Sequence, residues 1–572
     1  MALEQLSIHE IVKQAVEKRL DIPEFQREFV WDPEQTKLLA ESLYRDYPVG
    51  SFLLWDSSDY VESKLAEGAQ ASLWIVDGQQ RTTALCLLLG RKPYWWPNAE
   101  DWNKALKRYD VLVKVGGEEG ENAEFSLPNP IRRTDPSWVS VRDVVKLKDV
   151  KELTPLAEQI AQAIDPEADL KLFARVHQRL QQLWQIRERD IPIMKVSHEV
   201  EDVAEIFARL NQAGTRVKEA DVVLALAAAR NPGWVRTEYL PFVDGLEERG
   251  WDLEAGIFVR AMTSVGYRRA RLIEVPKSFW APDNLPGVWT RTSKIISETI
   301  IRLAEHGIVS AALLPSANSL IPLFVLQDRW GGEVGFNFRK SLHWFLLANR
   351  EGRYSGSAIT ALNEDVRAIS ESDSLDDALT RLLERLQTRD EIAPEEFMKR
   401  YDRAGNRFLR LMVYLVTYAA GGVDWIDKTR IAYDKGGNAV LAGFEPQWHH
   451  VFPRKVLKAT GRSPDAINAL ANIAVLNERT NVKKLAAKRP AQYLVEHGIT
   501  AKELQGHAMP RSFLEAVEKG DAVLEWQWAV GRYDDFLKER RDELARRSTV
   551  LLRSFGVGQG IPAGFAQAEV GA

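Results

Sequence analysis

Trp448-His449-His450-Val451-Phe452-Pro453, followed by Asn472, the apolar run Ile473-Ala474-Val475-Leu476 and then Asn481, decides how this chain is read. Two adjacent histidines run into a proline turn. One asparagine precedes a short strand, and the second opens a basic stretch. Cutting a phosphodiester needs a base to deprotonate water, a group that holds that base in one tautomer, and a cation for the leaving oxygen. Neighbouring side chains on a strand point to opposite faces, so His449 and His450 suit different tasks. His450 is expected to be the general base, with Asn472 fixing its imidazole. His449 is expected to turn toward a metal and meet Asn481 there. So sparse a nitrogen and oxygen set suits Mg²⁺ or Mn²⁺ better than a closed zinc cage.

A structural reading competes with this one. Asn472 and Asn481 could be turn and cap residues, and a histidine pair could be core. Charge weighs against it. Between Pro446 and Pro490 nine Lys/Arg stand against two Asp/Glu, a local +7 on a chain of net charge −5. A basic island on an acidic protein is what phosphate binding requires. Lys484 is the expected DNA-phosphate contact within it.

A second informative stretch lies near the start. Leu73-Trp74-Ile75-Val76-Asp77-Gly78-Gln79-Gln80-Arg81-Thr82-Thr83-Ala84-Leu85 reads as a buried strand, a glycine turn and a helix. That junction gathers backbone N–H groups and the positive end of a helix dipole, and Arg81 adds a forked donor. The Walker pattern of glycines followed by Lys is absent, which argues against a P-loop NTPase.

Composition bounds the rest. At 572 residues the chain needs two to four domains. The single cysteine, Cys86, excludes an internal disulfide framework and a thiolate zinc cluster, and fits a cytoplasmic location. Its apolar neighbours mark it as core filler. No run reads as a membrane span, and Phe408 to Val423 reads as a buried helix interrupted by Arg410. Helices are expected over 4–19, 33–46 and 150–187, and through most of 234–395. Strands are expected at Ser51 to Trp55, Tyr109 to Val115 and Ile191 to Val196.

These residues resemble a known family. The His-His, Asn, Asn pattern, over roughly Tyr401 to Arg546, is similar to an HNH (ββα-metal) nuclease, as found at the C-terminus of GmrSD-type modification-dependent restriction endonucleases. The residue before the base is often Asp or Glu in such domains; here it is His449. Ile22-Pro23-Glu24-Phe25-Gln26-Arg27 and Asp77-Gly78-Gln79-Gln80-Arg81 resemble the ParB-like N-terminal domain of the same enzymes. Glu205 to Thr215 and Arg353 to Ser357 resemble further family segments. The resemblance implies nucleotide (GTP or ATP) or modified-DNA binding by Gln26, Arg27, Asp77, Gly78, Gln79, Gln80 and Arg81. Relatives of the SspE kind sense phosphorothioate DNA.

The expected fold is α+β and helix-dominated. It has a ParB-like domain over 1–232 with an insertion at about 91–190, a helical connection over 233–395, an HNH domain over 396–555 and a tail over 556–572. The expected function is a metal-dependent endonuclease that cuts modified double-stranded DNA in defence against phage. One ββα site cuts one strand, so a double-strand break needs a homodimer or two events. The alternatives are a nucleotide-dependent DNA-binding regulator without nuclease activity, and chemistry carried by Asp77 and Arg81.

Overall fold

The computed structural model describes residues 2–22, 29–56, 73–96, 101–117, 122–197, 220, 223–224, 227, 230–231, 233–355, 358–433, 444, 446–477, 490–519, 532–560 and 565. The chain divides into two compact units, Met1–Val235 and Arg236–Ala572.

The first unit is built on a five-stranded mixed sheet. Its elements in order are β1 (Ala2–Ser7), α1 (Ile8–Val16), β2 (Leu20–Asp21), α2 (Pro33–Tyr44), β3 (Phe52–Asp56), β4 (Leu73–Asp77) and α3 (Gln79–Leu89). A small antiparallel sheet follows, with β5 (Leu112–Lys114) between β6 (Phe125–Ser126) and β7 (Trp138–Ser140). Then come α4 (Leu153–Ile164), α5 (Leu170–Gln185) and β8 (Asp190–Val196). The large sheet runs β1-β8-β3-β4-β2.

The start of the chain corrects the expected helix over 4–19. Residues 2–7 are a strand paired antiparallel with β8, Leu3 opposite Met194 and Ser7 opposite Asp190. Ser7 then caps α1 by accepting from the Glu10 amide at 3.2 Å, worth about 1 kcal/mol for such caps. The apolar periodicity ran through the strand, but the partner that decided it lies far along the chain.

α2 begins as its sequence dictates. Asp32 caps it, Pro33 stands at the first position, and Gln35 completes a capping box. The segment 91–190 shares one core with the rest of the unit. Val113, Val144, Leu180 and Leu183 belong to the same buried cluster as Ile8, Phe52, Ile75 and Leu85. Cys86 is in that cluster, and burial pushes its thiol pKa up, so it is not poised as a nucleophile.

The second unit is mostly helical: α6 (Ala255–Tyr267), α7 (Leu285–Glu305), α8 (Leu320–Trp330), α9 (Phe338–Glu351), α10 (Ala358–Glu371), α11 (Leu375–Leu383) and α12 (Arg407–Ala419). Every residue from Leu320 to Gln327 is buried, which makes α8 the central helix. Arg353 and Tyr354 close on the fully buried Asp365, at 2.6 and 2.7 Å from the guanidinium and 2.8 Å from the phenol. Removing either partner from such a carboxylate is strongly destabilising. β9 (Gln447–His450) and β10 (Ile473–Leu476) form a two-stranded antiparallel ribbon, and α13 (Tyr533–Gly556) packs against α9 and α12. Among the described residues no helix is long and apolar enough to cross a membrane.

Candidate active site

The β9-β10 ribbon carries the histidines. His450 pairs with Ile473 and His449 with Ala474. Strand alternation then sends the two imidazoles into different surroundings.

His450 Nε2 lies 3.1 Å from Asn468 Oδ1. The orientation of that amide is set by its nitrogen, which donates to the Pro464 carbonyl at 3.0 Å. An amide oxygen only accepts, so Nε2 must carry the proton and Nδ1 keeps the lone pair. Tyr401 meets the ring edge-on at 5.3 Å. Burial pushes the His450 pKa below its ordinary value, partly offset by the bond to Asn468. These surroundings favour the neutral imidazole, the form able to accept a proton.

The Asn472 side chain is not hydrogen-bonded to His450, which corrects the expectation that it fixes that imidazole. Its Oδ1 accepts from the Phe452 amide at 2.9 Å, and its Nδ2 donates to the carbonyls of Phe452 at 3.1 Å and Ile467 at 3.0 Å. The Val451 amide also donates to the Asn472 carbonyl at 2.8 Å. Asn472 thus clamps the turn after the histidines, while Asn468 holds the ring. Sequence reading missed Asn468. It follows the short helix Pro464–Ile467 and carries no local signal beyond a helix-end asparagine.

His449 is 4% exposed. Trp425 stands perpendicular to it at 5.5 Å, and Tyr493 crosses it at 5.9 Å. The Tyr493 hydroxyl donates to the Val451 carbonyl at 3.1 Å, tying these rings to the turn after the histidines. Behind the ribbon lies the fully buried Arg540, which donates to the carbonyls of Ala471 at 2.8 Å, Ile473 at 2.8 Å and His507 at 3.2 Å. Among the described residues no three His, Cys, Asp or Glu side chains gather to hold a metal. The imidazole of His449 is the donor described there. At 4% exposure beside Trp425 and Tyr493, that imidazole meets a cation only where its surroundings open. Asn481 and Lys484 lie outside the described residues.

In the first unit, Gly78 has φ +108°, and a Cβ there would stand 2.9 Å from the Phe52 ring. Only glycine turns β4 into α3 this tightly. Arg81 bonds Asp77 at 2.9 Å and the Val49 carbonyl at 2.7 Å, and lies 4.8 Å over the Phe52 ring. Gln80 accepts from the Val30 amide at 2.9 Å. Gln79 begins α3, which has no side-chain cap at Gly78. Asp77, Gly78, Gln79, Gln80 and Arg81 are thus together at one turn. Gln26, Arg27 and the segment 205–215 lie outside the described residues.

A helix-dominated α+β protein with a strand-glycine-helix turn in one unit and a histidine-bearing ribbon in the other is the class defined so far. Residues 8–228 match the GmrSD restriction endonuclease, N-terminal domain. The match lies within the first unit and is a likeness of that segment alone. An uncharacterized protein of Methanocaldococcus jannaschii is 21% identical over 580 aligned residues, covering 94% of this chain and 93% of its own length.

Proposed function

We propose that this chain is an endonuclease that cuts modified double-stranded DNA in defence against phage, with the ribbon as an HNH-type active site. The observation that carries the proposal is the state of His450: neutral, half-enclosed, its Nε2 proton committed to Asn468 and its Nδ1 left to take a proton from water. The water so activated attacks phosphorus. Asn472 and Tyr493 keep the turn that holds His450 in place. Lys484 and the basic residues around it neutralise the phosphates. Mg²⁺ or Mn²⁺, held by His449 with Asn481, would supply charge stabilisation at the leaving oxygen when bound. The Asp77–Arg81 turn, with Gln26 and Arg27, is the proposed sensor of an NTP or of the DNA modification, phosphorothioate among the candidates. The ParB-like and cytoplasmic assignments, and assembly as a homodimer, belong to the same reading.

The enclosure of His449 favours one rival, a nucleotide-dependent DNA-binding regulator without nuclease activity. A cleavage assay separates them. Unmodified, phosphorothioated and glucosylated plasmids are incubated with the protein, with and without Mg²⁺ and NTP. Metal-dependent nicking lost in His450→Ala, with folding and DNA binding kept, is expected. Full activity in that variant would move the chemistry elsewhere. Salt-sensitive binding never followed by nicking would favour the regulator.

A further inference from the structure

The first unit holds a polar cleft of about 810 Å³ between the C-terminal end of α2, the lead into β6 and one face of α5. That is room for a nucleotide-sized ligand. The sequence of α5 is unusual for a surface helix. Its sixteen residues contain Lys171, Arg175 and Arg179 and no Asp or Glu. These three stand at i, i+4 and i+8, so they lie one above another on one face and repel. Lys171 also sits at the second position of the helix, where the dipole disfavours a cation. Two local rules are broken on the same face, and that face lines the cleft.

The side chains are built into place. Arg175 donates to the Gly117 carbonyl at 2.6 Å, which fixes its guanidinium without neutralising it. Arg179 is buried and reaches the carbonyls of Lys114 and Val115 at 3.3 Å. The Tyr44 hydroxyl donates to Gln182 Oε1 at 2.6 Å, which leaves the amide N–H groups of Gln182 as its donors at the cleft. Tyr47, 57% exposed, offers a ring at the rim. The one lining carboxylate, Asp46, is paired with Arg189, and the fixed cations, amide groups and exposed ring that remain match a phosphate, the edge of a base and its face.

We propose that this cleft binds a phosphorylated nucleotide, with its phosphate on Lys171 and Arg175 and its base against Tyr47 and Gln182. The site is separate from the Asp77–Arg81 turn, and it does not depend on the cleavage reading. The nucleotide has two sources, a free mononucleotide or a nucleotide of a DNA strand, and the test separates them.

Fluorescence anisotropy on the full chain, in EDTA so that no cutting intervenes, is run with labelled deoxyadenosine monophosphate and with a short labelled single-stranded oligodeoxynucleotide. The variant is Lys171→Glu with Gln178→Glu, both exposed positions on the cleft. The expected result is binding weakened about tenfold or more, with a shallower salt dependence for the oligonucleotide and an unchanged melting temperature. Loss for the mononucleotide alone assigns a free nucleotide; loss for the oligonucleotide assigns a strand. Tyr47→Ala, which removes only a rim side chain, gives the same reading if the double variant misfolds. Affinities unchanged for both probes, or no binding of either by the parent chain, overturn the proposal. His450→Ala leaves this binding intact, so the failure of either idea is seen without the other.

Discussion

Asn468 accepts the Nε2 proton of His450 at 3.1 Å while its own amide nitrogen is held by Pro464. The His450 ring is thereby fixed by a residue outside the His-His, Asn, Asn pattern. Asn468→Ala frees the ring without removing it. Cleavage is expected to fall in kcat by roughly 10–100-fold with little change in KM, as losses of histidine-orienting partners do. Asn468→Asp, which can accept the same bond, restores part of the loss. Single-turnover kinetics on a nicked-product assay check this, and an Asn468→Ala enzyme of full kcat would remove Asn468 from the site.

Asn472 acts on stability first. Its amide makes three bonds to buried main chain, and truncation orphans those groups. Asn472→Ala is expected to cost at least about 2 kcal/mol, on the order of one or two buried unsatisfied groups. A urea titration reads it as a lower midpoint at unchanged slope.

Gly78 can be tested in isolation from any DNA chemistry. Its left-handed φ and the Phe52 ring beside it both oppose a side chain. Gly78→Ala should lose about 1–2 kcal/mol from the backbone alone, plus the cost of moving Phe52. Differential scanning calorimetry should show a lower melting temperature; an unchanged one would mean the turn relaxes freely.

Acid should weaken the second unit through His507. Its Nε2 donates to the Val423 carbonyl at 2.7 Å, and burial pushes its pKa down to about 4. Below the unfolded value near 6.5 the unfolded chain takes up a proton that the folded chain refuses. Stability is therefore full above that value and falls as pH drops toward about 4, by about 3 kcal/mol in all. His306 and His450 shift the same way and add to the slope. Stability measured against pH should show a shallower acid limb in His507→Gln. Identical slopes would put the acid sensitivity elsewhere.

The local signals that survived were those whose cause is local. Asp32-Pro33 opened α2, Gly78 broke β4 from α3, and Asn472 stood directly before β10, because caps, positive φ and strand alternation act within a few residues. The failures were of the opposite kind. Residues 4–7 were expected to open a helix whose apolar spacing runs from Leu6, yet they belong to a strand, since β8 offered them a ladder. His450 took its partner from Asn468 because folding brought the end of a four-residue helix against the ribbon.

By itself, then, the order of residues placed the two histidines on one short strand and Asn472 directly before another, since strand geometry is a property of short stretches. Which asparagine holds the imidazole, which histidine is walled in by Trp425 and Tyr493, and that α5 aligns its cations along a cleft were decided by packing alone. Hydrogen bonds and burial depend on which distant groups arrive within about 3 Å, and no local pattern encodes that distance.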